Sequence, residues 1–262
     1  PDGNSTAGVL NGIVLTATPT EVGVLFSWAP NNNPLGYRIY RSRQPGQEGI
    51  SITDFPIMPV SGPLAGHFVD VNATPNSTYF YTIRRVEAEA SLDRETITII
   101  PERLGPASEV LEVTLGDFQE IQPPLDEAEA TRNFMLMTLG QDMMLVNDEL
   151  REIDPGRGTA PLVRDGRTLA PIRAIIETKG GSIDWDESEL RITLEAYENE
   201  LQMWMGSRRL LVNGADAEMD TTPDVINQRT MLPLRFVSEN IGSQIAWVGT
   251  NQQIIIVFYT FG

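Results

Sequence analysis

The chain has 262 residues, 41% of them hydrophobic, with 36 acidic against 19 basic residues and a net charge of -17. A field of that sign repels phosphate backbones, which argues against nucleic acid as a partner, and no apolar run nears the ~20 residues of a spanning helix, so no membrane insertion is expected. Cysteine is absent and histidine occurs once, at His67, so no disulfide, thiol nucleophile, zinc–thiolate site or multi-imidazole metal centre is expected, and nothing around His67 marks a Ser-His-Asp arrangement.

The length corresponds to two or three domains. Every basic residue but Lys179 is arginine. Arginine is always charged and suits fixed ion pairs, and a thermophilic or a GC-rich background would each produce the bias. Lys179 precedes Gly180-Gly181 and reads as a solvated helix end.

Residues 1–7 read as an N-terminal extension, since Pro1-Asp2-Gly3-Asn4-Ser5-Thr6 has the composition of a fraying end. Residues 8–116 then read as strands. Gly12–Ala17 is followed by a break at Thr18-Pro19-Thr20. Val22, Val24, Phe26 and Trp28 alternate onto one face, Asn31-Asn32-Asn33-Pro34 marks a turn, and Tyr37–Arg41 alternates again. Pro45-Gly46 opens a long loop, Thr78–Arg84 is strongly strand-forming, and Val110–Leu115 closes the segment. Several short strands between turns in about 100 residues predict an all-β sandwich.

This half resembles the fibronectin type III family. The resemblance is carried by Trp28, by Gly36-Tyr37-Arg38-Ile39-Tyr40-Arg41, and by Pro75-Asn76-Ser77-Thr78-Tyr79 leading into Phe80-Tyr81-Thr82-Ile83. It implies that Trp28 is the core tryptophan and that Tyr79 is a corner tyrosine whose hydroxyl bonds back to the chain upstream. Arg94–Ile100 is an extra β-rich segment where the family has a short hairpin. No Arg-Gly-Asp tripeptide is present, so integrin-type binding is not implied.

Residues 117–131, with Pro123-Pro124 and Asp126-Glu127-Ala128-Glu129, read as a linker with a stiff start. Residues 132–262 repeat internally. Set against 223–256, the stretch 161–194 shows eleven identities in 34 ungapped positions, at an offset of 62. Leu145-Val146-Asn147 recurs as Leu211-Val212-Asn213, and Asp154 as Asp220. Each copy predicts a pair of strands, a short helix and a hairpin. Pro171 suits a first helical turn, Ile172, Ile175 and Ile176 share a face, and Gly180 ends the helix. Leu234, Val237 and Ile241 serve the second copy. Two such units sharing one core predict an α+β domain.

Arg173 and Arg235 oppose the helix dipole in the first turn, by about 0.3–1 kcal/mol, so each needs a partner. Glu177 and Glu239 lie four residues on. The expected role is a structural ion pair that pins the helix to the sheet, rather than an anion site in so acidic a protein.

The repeat resembles the copper amine oxidase N-terminal-like domain, a module of secreted and surface proteins of Gram-positive bacteria. The carrying residues are Val146-Asn147, Arg167–Arg173 and Gly180–Trp185, with Arg229–Arg235 and Gly242–Trp247 in the second copy. In the oxidases this region is a stalk outside the catalytic domain. The catalytic part needs three histidine ligands and a modified tyrosine that this chain does not have, so the resemblance implies no oxidase activity, no catalytic residues, no metal and no cofactor.

Among other candidates, Asp184, Asp186, Glu187 and Glu189 could attract Ca²⁺ but lack EF-hand spacing, and read as a solvated turn. Met135, Met137, Met143 and Met144 read as core filler. Alternation puts Leu201, Met203 and Met205 inward and Trp204 outward, with Tyr197 on the polar face of the preceding strand. An outward tryptophan near a tyrosine suits a glycan contact or a protein interface, the alternative being a cover from the linker or first domain. The terminal Ile254–Phe261 is apolar on both faces, so it is central in a sheet or docks on a neighbour.

The reading that collects these expectations is a non-enzymatic extracellular structural protein of a bacterial cell surface, with its signal peptide outside this chain. It would be a subunit of a filament, appendage or surface layer, assembled head-to-tail with copies of itself or with other envelope components. The alternative is a polysaccharide or cell-wall binding and adhesion module of a larger secreted protein.

Overall fold

The computed structural model describes residues 5–29, 35–53, 56–57, 64–93, 98–122 and 130–261. The turn expected at Asn31–Pro34, the first four residues, 94–97 of the extra β-rich segment and the proline–acid stretch at 123–129 lie outside these. The chain divides into two compact units, 1–119 and 120–262. It is β-rich and multi-sheeted, with two short α-helices among the described residues. No helix of the described residues is long and apolar enough to cross a membrane.

In the first unit, β1 (Thr6–Leu10), β2 (Ile13–Thr20), β3 (Gly23–Trp28) and, after β4 (Tyr37–Ser42) and β5 (Ile50–Ser51), β6 (His67–Asp70) form a sheet in the order β1-β2-β3-β6. Next come β7 (Thr78–Ala88), β8 (Ser91–Asp93), β9 (Thr98–Ile100), β10 (Arg103–Ala107) and β11 (Leu111–Thr114). The second sheet runs β10-β7-β4-β5, with β11 also on β7. Alternate residues of the two sheets meet in one core that holds Leu15, Val24, Phe26 and Trp28 from the first, and Tyr37, Ile39, Tyr81 and Ile83 from the second. Edge-on rings close the contact: Phe26 to Tyr81 at 4.9 Å and Trp28 to Tyr37 at 5.5 Å. A buried carboxylate braces this core. Asp70 accepts from the Tyr81 hydroxyl at 2.9 Å and from Arg41 Nη1 at 2.9 and 3.0 Å. Gly66 lies beside Trp28 with φ +69, and a Cβ there would stand 2.3 Å from the Trp28 carbonyl oxygen, so no larger residue fits.

Three expectations are corrected here. Thr6 and Ala7 pair with Ala17 and Thr16, so the extension expected over 1–7 has at least these residues in the sheet. Pro19 does not break its strand but pairs with Val24. It lies past the end of β1, which pairs only to Ala17, so no donor is needed on that side. The segment expected as one extra β-rich run contributes β9 to a separate two-stranded sheet with β8, whereas the strand expected over Val110–Leu115 does close the unit, as β11 on β7, with β10 pairing β7 ahead of it.

In the second unit the strands are β12 (Ala130–Thr138), β13 (Met143–Val146), β14 (Glu149–Glu152), β15 (Leu162–Arg164), β16 (Arg167–Pro171), β17 (Ser182–Asp186), β18 (Arg191–Ala196), β19 (Asn199–Trp204), β20 (Arg209–Val212), β21 (Ala215–Glu218), β22 (Asp224–Ile226), β23 (Arg229–Pro233), β24 (Gln244–Val248) and β25 (Gln253–Phe261). The helices are α1 (Arg173–Thr178) and α2 (Leu234–Asn240). Two five-stranded sheets, β14-β13-β12-β25-β24 and β17-β18-β19-β20-β21, are connected along the chain through a four-stranded one, β15-β16-β23-β22, the middle sheet in chain order. One core collects Met135, Met137, Ile172, Ile176, Leu194, Met203, Leu234, Val237 and Ile256 from all these layers. Met135, Met137 and Met144 fill it as expected, while Met143 is only partly buried and lies outside it.

The two outer sheets are built alike. Asn147, at φ 54, and Asn213, at φ 50, close the hairpins β13–β14 and β20–β21. Asn147 donates to Asn133 Oδ1 at 2.8 Å and accepts the Phe134 N–H at 3.0 Å. Asn213 donates to Asn199 Oδ1 at 3.0 Å and accepts the Glu200 N–H at 2.8 Å. In the middle sheet Ala170 pairs with Leu232, its own counterpart at offset 62, and the antiparallel pairs Leu169↔Pro233 and Pro171↔Met231 are symmetric about it.

Both helices stop as glycine dictates. Gly180 has φ 78, its N–H donates to the Glu177 carbonyl and that of Gly181 to Ile176. Gly242, at φ 69, does the same for α2, where the Ser243 N–H reaches the Ser238 carbonyl. Their starts differ from expectation. Pro171 and Pro233 end strands β16 and β23 rather than opening helices, and α1 begins only at Arg173. β25 is central in its sheet, which resolves the choice left open for the apolar end: it is flanked by β12 and β24. The linker expected over 117–131 is shorter than its bounds. Phe118 packs on the first core, Arg132 pairs with Glu120 at 3.2 Å, and Ala130 and Thr131 already belong to β12.

Candidate binding groove

The charged residues that recur in the second unit meet across its two halves. Arg229 Nε donates to Asp154 Oδ1 at 2.6 Å, and Asp154, nearly fully buried, also accepts from Thr159 Oγ1 at 2.6 Å. Reciprocally, Arg167 pairs with Asp220, and next to these Arg164 pairs with Asp224. Each pair joins an arginine at one end of the middle sheet to a carboxylate of the other half, and together they fix where β16 and β23 sit.

Beside each pair lies a groove between a helix and the strand hairpins. The larger has a volume of about 590 Å³. Its rim holds the Arg167–Asp220 pair and, from α2, Arg235 and Glu239, while Phe236 and Trp247 provide aromatic wall. The Trp247 side chain is 41% exposed. The smaller, about 310 Å³, is lined by the counterpart positions Asp154, Arg173, Ala174, Glu177 and Arg229. The two grooves differ at one matching position. Gly166 in the wide groove has open space where a Cβ would stand, whereas Gln228 occupies the matching place in the narrow one. The counterpart of Trp247, Trp185, is 47% exposed but does not line the narrow groove.

The ion pairs expected within the helices exist. Arg173 Nη1 reaches Glu177 at 3.3 Å and Arg235 Nη1 reaches Glu239 at 3.7 Å. They do not pin helix to sheet, however. All four side chains are more than half exposed, because the face opposite Ile175, Ile176 and Val237 points to solvent, and such pairs stabilise little.

Trp204 and Tyr197 are not brought together. Trp204 pairs with Arg191 at one end of the β18–β19 hairpin, while Tyr197, at φ 55, is in the turn at the other. Alternation gave the face of Trp204 correctly, but the expected neighbour is several residue pairs away. The Arg209 guanidinium stacks on the indole at 4.8 Å, so that face is already covered. The Tyr197 hydroxyl donates to the Tyr259 carbonyl, and burial pushes its pKa up to about 12.

Lys179 departs most from expectation. It is not a solvated helix end: its side chain is buried and its Nζ donates to the Ile241 carbonyl at 2.7 Å and to Ser243 Oγ. The ammonium stands 4.8 Å over the Tyr197 ring. The carbonyl it meets is that of its counterpart at offset 62, where α2 ends, so the last turns of the two helices are tied together. Burial pushes its pKa down to about 7.

The acidic stretch after β17 is a turn. Asp186 accepts from the Ser188 and Glu189 backbone N–H groups at 3.0 and 3.2 Å, and Arg191 reaches Glu189 at 2.8 Å. Among the described residues no group of three or more His, Asp or Glu side chains could hold a metal ion. His67 is mostly buried, which lowers its pKa, with Nδ1 3.1 Å from the Ala65 carbonyl.

The described fold is that of a β-rich protein of two compact units, the second built on paired five-stranded sheets with two short helices. Residues 146–256 match the family model of the copper amine oxidase N-terminal domain. No curated protein and no solved structure matches the chain.

Proposed function

We propose that this is a non-enzymatic extracellular structural protein of a bacterial cell surface, a subunit of a filament, appendage or surface layer. The observation that carries the reading is the reciprocal pairing of Arg229 with Asp154 and Arg167 with Asp220. Side chains that recur in both copies are taken up in holding the two halves to each other, which is the use a scaffold has for them. The family matched by residues 146–256 is a non-catalytic domain in copper amine oxidases.

The finer architecture belongs to the same proposal. In the first unit Thr74 N–H donates to the Tyr79 hydroxyl at 3.2 Å, five residues upstream, and Trp28 is in the core; both support a fibronectin type III-like sandwich. In the second, Asn147 and Asn213 make matching bonds and Ala170 pairs with its counterpart Leu232. These support an internal duplication related by an approximate two-fold axis through the middle sheet.

The partner is a second copy in head-to-tail contact, or another envelope component. Because β25 is covered within its own sheet, the assembly does not rest on that strand. Electron microscopy and sedimentation of the purified protein over rising concentration test the reading. Regular polymers or arrays are expected. A monodisperse monomer at high concentration, with native envelopes showing no periodic array, would overturn it.

A further inference from the structure

We infer that the groove beside Trp247 is a binding site for a neutral glycan. Its volume, about 590 Å³, falls in the range of small-molecule sites, about 300–1,000 Å³. Four features define what fits. Trp247 offers a half-exposed indole, a large apolar surface with a polar N–H. A water-exposed indole on a strand contributes little to folding, and here it forms a wall of the groove. Arg167 is beside Asp220, and Arg235 beside Glu239, so the groove is lined by donors and acceptors in pairs. The charge of each pair is balanced. An anion would have to displace a carboxylate from its arginine within a protein of net charge -17, and a cation would have to do the reverse. A pyranose chain needs neither exchange: its C–H face lies on an aromatic ring, and each hydroxyl both donates and accepts.

The narrow groove is a built-in comparison. It keeps the charged pairs Arg173–Glu177 and Arg229–Asp154 but has Gln228 where the wide groove has Gly166, and Ala174 where the wide groove has Phe236. Trp185 is equally exposed yet lines no part of it. If the recurring rim were enough, both grooves would bind; if exposed indole were enough, both tryptophans would. The inference requires the open space at Gly166 and the Trp247 wall together.

The test is affinity electrophoresis of the whole chain in gels containing hydroxyethyl cellulose, galactomannan, arabinoxylan or dextran, with polygalacturonate as the anionic comparison. Retardation by at least one neutral polymer is expected. Trp247→Ala should weaken it at least tenfold and Trp185→Ala should leave it unchanged. Gly166→Gln, which copies the side chain of the narrow groove at a position with φ +74, should abolish it with the indole still in place. Gln228 itself adopts φ 61, so this variant is expected to fold, and thermal melts of all three variants check that. No retardation by any neutral polymer, retardation by polygalacturonate alone, or equal losses in Trp247→Ala and Trp185→Ala would each overturn the inference. None of these outcomes depends on whether the protein polymerises.

Discussion

Lys179 has its side chain buried against the end of α2, with burial lowering its pKa from 10.5 to about 7. Between these values the unfolded chain binds more protons than the folded one, so this residue makes stability rise as pH increases from about 7 towards 10.5, and contributes its full penalty below 7. Urea titrations at pH 6, 8 and 10 should show that Lys179→Met flattens this dependence and is at least as stable as the parent at pH 6. An unchanged slope in the variant would refute the assignment. In the first unit Asp70 carries two partners, Tyr81 and Arg41. Tyr81→Phe removes one hydrogen bond and should cost about 1 kcal/mol. Asp70→Ala leaves a buried hydroxyl and an arginine without their acceptor and should cost about 3–5 kcal/mol, measured by denaturant unfolding. Residue types announced neither site. A lysine before two glycines looks the same whether or not a second helix end, 62 positions on, closes over it.

Elements were more legible than their contacts. Apolar alternation placed Leu201 and Met203 inward, and Gly180 and Gly242 stopped the helices because a left-handed residue was required there. Alternation says nothing about position along a hairpin, which is why Tyr197 and Trp204 fell at opposite ends of β18 and β19. Spacing also gave both helical ion pairs without their exposure. The double substitution Arg173→Ala/Glu177→Ala should therefore change stability by no more than about 0.5 kcal/mol. Arg229→Ala strips a buried Asp154 of its cation and should cost about 3–5 kcal/mol in the same assay. The wide groove was hidden because its walls come from both copies, and its one sequence sign was a tryptophan repeated at a position with no core to fill.

At the scale of the molecule, the repeat foretold a shared core but not how its halves interlock. β25 lies against β12 as β18 lies against β19, so each five-stranded sheet draws strands from both copies. Neither copy can then complete a sheet alone. Separately expressed halves, cut at the Tyr197-Glu198 turn, should remain unfolded apart and regain native circular dichroism on mixing; independent folding of either half would contradict the interlocked arrangement.

The adjacency of the first and last strands of this unit has a mechanical corollary. Ala130 is opposite Phe261 at the same end of an antiparallel pair, so tension applied through those two points would part the ladder one rung at a time instead of loading all nine registered pairs in shear. Stretched that way, the unit would yield at low force, and a fibre made from it would need to route its load through the flanks of neighbouring subunits rather than along the polypeptide.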